Sequence, residues 1–93
     1  MTQTVSAEMP EVVTLHTVSA VLRALSEALV RQKGAQATLD AKALRSFDSS
    51  AVAMLLELRR ALAQQGGQLK LVNVPRKLQE LVALYGVSEL LPA

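Results

Sequence analysis

The chain has no cysteine and no tryptophan, and its 93 residues include one histidine, one tyrosine and one phenylalanine. Without cysteine there is no disulfide framework, no thiolate metal site and no thiol nucleophile. The near absence of aromatic rings removes the stacking surfaces on which single-stranded nucleic acids are held. Basic residues exceed acidic ones by only two, a net charge of +2. They are scattered from Arg23 to Lys77 and form no dense phosphate-tracking run, which argues against nucleic acid as the partner. Long hydrophobic runs are missing too: the longest, Ala51 to Leu56, is far shorter than a membrane span. The opening MTQTVSAEMPEVV has neither a basic n-region nor an apolar h-region, so a cytoplasmic location is expected.

What is present is aliphatic. Hydrophobic residues make up 51% of the chain, nearly all of them Leu, Val and Ala, so one small domain with an aliphatic core is expected. Phe47 and Tyr85 are its only candidate core rings. Residues 1–13 alternate weakly around Pro10 and read as one or two edge strands. Val18, Val21, Leu22, Leu25 and Leu29 recur at helical spacing, with Thr14 or Thr17 able to cap the start and QKG ending the segment at Gly34. Ala37, Leu39 and Ala41 alternate with Thr38 and Asp40 as a strand of about five residues.

A second helix is predicted from Ser49 to about Gln65, stopped by Gly66 and Gly67, then a strand QLKLVNV with Leu69, Leu71 and Val72 inward. A third helix is expected to carry Pro75 at its first position and Leu78, Leu81, Val82 and Tyr85 on one face before Gly86. Strands alternating with helices over short connections predict an α/β fold with a mixed or mostly parallel sheet.

The residues offer little machinery for catalysis. His16 has no second histidine or cysteine with which to share a metal. A Ser49–His16–Asp40 or Ser49–His16–Asp48 triad can be drawn, but no glycine elbow or glycine-built oxyanion hole accompanies it. The QQGGQ glycines follow a helix and precede a strand, the reverse of a phosphate loop. No enzyme activity, cofactor or metal is therefore expected.

The corner Asp48-Ser49-Ser50 carries the question. Either Asp48 or Ser49 caps the second helix, or a hydroxyl there serves a partner or receives phosphate. At 100° per residue, Val52, Leu55, Leu56, Leu58 and Leu62 form one wide arc toward the sheet, opposite Glu57, Arg60 and Gln64. Met54 and Ala61 fall beside Ser50, outside that arc, as extra core or as a docking strip. Arg59 falls inside it and must snorkel or pair.

From residue 14 to the end the chain resembles a STAS domain, the fold of anti-sigma-factor antagonists. The likeness rests on the Leu39-Asp40 strand end, the acid-hydroxyl-hydroxyl corner, the Leu-rich helix with LRRALAQQG, the GG-strand segment and LVALYGVSELLP. The resemblance implies one domain over residues 1–93, with a mixed sheet of about four strands and about three helices. Within the family the chain looks most like the small STAS subunit of the Mla-type phospholipid-transport ABC complex of Gram-negative bacteria. That implies a non-catalytic partner of the transporter's cytoplasmic ATPase, and through it of the permease, peripheral to the inner membrane. Ser49 then matches the family's regulatory hydroxyl, Asp48 the acid before it and Ser50 the small residue after it. The glycine common two positions beyond that hydroxyl is Ala51 here, a methyl expected to alter access for a partner or kinase.

The expected contact surface is Asp48, Ser49, Ser50, Met54, Glu57 and Ala61. The alternative implied by the same family is an anti-sigma-factor antagonist switched by phosphorylation of Ser49, its partner an anti-sigma kinase. Direct lipid handling finds no basic amphipathic helix to support it.

Overall fold

The computed structural model describes residues 4–30, 34 and 36–86. Its elements run β1 (Thr4–Glu8), β2 (Val12–Val13), α1 (Val18–Leu29), β3 (Gln36–Asp40), β4 (Ser46–Phe47), α2 (Ser49–Gln64), β5 (Gln68–Val72) and α3 (Arg76–Leu84). The QK of the expected stop after the first helix and the VSELLP ending lie outside the described residues.

β1, β3 and β5 form a three-stranded parallel sheet in that order. Ala37 and Leu39 of β3 stand beside Val5 and Ala7 of β1 and beside Leu69 and Leu71 of β5. Parallel neighbours need crossovers, and right-handed crossovers between strands laid down in one direction put α1 and α2 on the same face. The burial pattern agrees. Ala37, Leu39, Leu69 and Leu71 are buried, while Ser6, Glu8, Gln36, Gln68 and Lys70 of the opposite face are exposed. The sheet is thus packed on one side, so its strands alternate instead of running continuously apolar as strands covered on both faces do.

Among the described residues every pairing is parallel, within the mixed or mostly parallel sheet expected, and five strands lie in two sheets where about four in one were expected. The additional sheet pairs Val12 with Ser46 and Val13 with Phe47. Two-residue strands have no alternation to read. Glu11's carbonyl reinforces the pair by accepting from the amides of Arg45 and Ser46 at 2.8 and 3.0 Å.

α2 is the central helix, packing against α1, α3 and β5. Ala51, Val52, Met54, Leu55, Leu58 and Leu62 are its buried residues. Met54, expected at the contact surface, is instead 1% exposed and belongs to the core. Neighbours on both flanks widen the buried arc beyond what a sheet alone would cover. Ala51 is also fully buried, so its methyl faces the core and does not stand in the way of a partner. Leu56 is only half-buried, as is Arg59.

The helix ends follow the local chemistry. Gly66 takes φ +78°, the left-handed conformation that ends α2. Its amide and that of Gly67 donate to the carbonyls of Ala63 and Leu62, the paired bonds of a Schellman ending. Pro75 sits one position before α3, not at its first position, with φ −59° and ψ 147°. Tyr85 lies just past the end of α3 and is exposed, so it is not a core ring, and Phe47 is half-buried. Among the described residues the fully buried core carries no aromatic ring.

Met54→Ala is expected to lower unfolding stability by about 2–5 kcal/mol through the cavity it leaves. Ala53→Gln, one residue away but exposed, is expected to stay within about 0.5 kcal/mol. Urea denaturation checks both, and a surface-like value for Met54→Ala would overturn its place in the core.

Candidate functional site

The start of α2 is built by Asp48. Its backbone is extended (φ −129°, ψ −168°), and its side chain accepts from the Ser50 amide, the bond of a helix N-cap. Oδ1 takes that amide at 2.9 Å and also accepts from the Ser50 hydroxyl. Oδ2 accepts from the amide of Leu15 at 3.0 Å, across 33 residues of chain. One carboxylate therefore ties the β2–α1 connection to the N-terminus of α2. The β2–β4 pair makes this possible by bringing the two segments side by side, and the Asp48 amide adds a bond to the Val13 carbonyl at 3.3 Å.

These donors favour the charged form of Asp48. The Ser50 hydroxyl contributes most to holding its carboxyl below the ordinary 3.8, followed by the Leu15 and Ser50 amides, with a smaller contribution from the charge of His16.

With Asp48 as the cap, Ser49 is left over. It is the first residue of α2, exposed, and among the described residues its hydroxyl has no hydrogen-bond partner. Ser50, by contrast, spends its hydroxyl on Asp48. The two hydroxyls of the corner have separated roles, one structural and one open.

Ser49 and Asp48 line a surface groove of about 390 Å³ with Leu15, Ser50, Val52, Ala53, Leu56 and Tyr85. Three of the residues expected at the contact are here: Asp48, Ser49 and Ser50. Glu57 and Ala61 do not line the groove. Glu57 is exposed and forms an ion pair with Arg60 at 3.6 Å, and Ala61 is half-buried. Leu15, Ala53 and Leu56 carry no signal in the sequence that marks them for this groove, and Tyr85, expected on the apolar face of the third helix, lines it as well.

The drawn triads find no support in hydrogen bonding. Asp48 is occupied as described, and Asp40, at the end of β3, accepts from the Lys42 amide at 2.9 Å and the Asn73 amide group at 3.1 Å. Those two bonds, the Lys42 amide first, hold the Asp40 carboxyl low as well. Asn73 adopts φ 54°, a left-handed turn that asparagine tolerates better than most residues. Among the described residues no group of three or more His, Cys, Asp and Glu could hold a metal ion. No helix among them is long and apolar enough to cross a membrane.

A family model described as "Mlab, STAS domain" matches residues 6–92. The chain belongs to the STAS-domain family. Comparison with curated proteins and with solved structures gave no match. In this STAS domain the acid of the corner is a tether between two segments, and the hydroxyl after it faces outward.

Because Asp48 and Asp40 are held low in the folded state, the unfolded chain binds more protons as the pH falls through 4. Their stabilisation is full above the ordinary carboxyl value and is lost as pH drops through the folded values. The domain is expected to lose urea resistance below about pH 4. Asp48→Asn, which keeps a capping acceptor but cannot ionise, should show a shallower acid loss. Equal slopes for the two proteins from pH 7 to 2.5 would contradict this.

Proposed function

We propose that this STAS domain is a docking subunit without chemistry of its own, seated on the cytoplasmic ATPase of an ABC phospholipid transporter that maintains outer-membrane lipid asymmetry. In that role it supports assembly and activity of the ATPase–permease complex. The observation that carries the reading is the Ser49 hydroxyl: exposed, first in a long helix, and released from capping duty by Asp48. It lines a largely apolar groove, where a protein surface can cover it. The likeness of the Leu-rich helix and of the LVALYGVSELLP ending to the Mla-type subunit points to the ATPase as that surface.

The same free hydroxyl favours one second reading, an anti-sigma-factor antagonist. A kinase can reach Ser49, and the α2 N-terminus would stabilise the added phosphate locally while its charge repelled a partner.

Purification of the tagged domain from its native host in mild detergent is expected to bring down an ABC ATPase and permease. An anti-sigma kinase in their place, with near-stoichiometric phosphate on Ser49 when that kinase and ATP are supplied, would move the assignment to the second reading. Ser49→Glu is expected to weaken ATPase binding at least tenfold without lowering the melting temperature, since an acid is tolerated at a helix start. Full affinity in that variant, measured by titration calorimetry, would sink the docking role of the corner.

A further inference from the structure

Among the described residues four large apolar side chains are exposed: Val12, Leu15, Leu84 and Tyr85. Single exposed apolar residues are ordinary, but their convergence marks a contact surface. Leu15, at 74% exposure, and Tyr85, at 54%, line the same groove as Ser49, although they come from the β2–α1 connection and the end of α3. Val52, Ala53 and Leu56 of α2 complete its apolar wall. Leu15 does not stand there by chance of a loose turn: its own amide is bonded to Asp48 Oδ2. The tether that caps α2 also holds Leu15 at the rim.

The charge of the groove is one-sided. Of the residues that line it, only Asp48 carries a formal charge. A carboxylate has about four acceptor positions. Three are filled, two on Oδ1 by Ser50 and one on Oδ2 by Leu15. Oδ2 keeps one open, which an approaching cation can use. An ionised acidic neighbour has no donor to offer that position. The exposed ring of Tyr85 adds a face that attracts a cation as well.

We propose that this groove takes an apolar side chain of the partner protein between Leu15 and Tyr85, with an adjacent basic side chain of the partner meeting Asp48. The inference rests on the docking role above and names the chemistry of the surface that docks. Leu15 and Tyr85 are the apolar anchors, and Asp48 is both the holder of Leu15 and the charge that selects a basic neighbour.

The test is titration of the domain into the detergent-purified ATPase–permease complex lacking it, with melting temperatures recorded in parallel. Leu15→Ala is expected to weaken binding at least tenfold with no change in melting temperature, as for a central anchor. At Ala53, exposed on the groove wall, affinities should fall in the order Ala53→Glu, Ala53→Gln, Ala53→Lys. The ends of that series should differ at least fivefold and draw together at about 1 M salt, where screening is nearly complete.

An unchanged Leu15→Ala, or an Ala53 series that is flat or reversed, overturns the inference while leaving the docking role intact. No binding by the wild-type domain overturns the docking role and this inference with it. The domain alone should sediment as a monomer. A concentration-dependent dimer abolished by Leu15→Ala would assign the groove to a second copy and overturn the basic-partner inference.

Discussion

Burial of α2 is the constraint on which the rest of this small domain depends. Six of its residues are buried, and it touches α1, α3 and the sheet. A domain of this size has one core and little surplus, so the helix that fills that core fixes where everything else can sit. With the sheet packed on one face only, α1 and α2 must lie side by side, and the alternation along β3 and β5 follows from that single covered face.

At the N-terminus of α2 a short list of polar groups is almost entirely used within the chain. Asp48 serves the Ser50 amide, the Ser50 hydroxyl and the Leu15 amide together. Each bond is exposed to water and individually modest. Their combined effect is geometric, because the cap of a helix and the crossing between β2 and α1 are fixed by one carboxylate. A corner held in this way does not have to order itself when a partner arrives, which keeps the entropic cost of association low.

The helices and the long strands were legible because a period repeated several times outweighs any single residue. Leu25 and Leu29, Leu55 and Leu62, Ala37 and Leu39 each turned out buried where their spacing placed them. β2 was legible only as one of the one or two edge strands around Pro10, and β4 was not, since two residues cannot show an alternation and Phe47 reads as part of a connection. Met54 was misplaced for a related reason: periodicity says which way a side chain points, but not how many neighbouring elements wrap around that direction. Tyr85 shows the converse, since it continues the apolar face of α3 in sequence but lies beyond the helix end, where it stays 54% exposed. Asp48 as cap was one of two readings of the corner. That it also reaches Leu15 could not be read, because the contact spans 33 residues and depends on the unread β2–β4 pair.

The division of labour between Ser49 and Ser50 follows from helix geometry. The capping carboxylate bends toward the second helical residue, whose amide and hydroxyl point back at it, so the first helical residue is the one turned away. A hydroxyl in that position can be covered, bonded or phosphorylated without disturbing the cap that holds the helix. A fold that needed Ser49 for its own stability would couple every event at the surface to unfolding. Here the coupling is removed by the residue before it, and the buried methyl of Ala51 on the other side leaves the approach to Ser49 clear. The corner can therefore respond to a partner through one side chain while the core beneath it stays as it is.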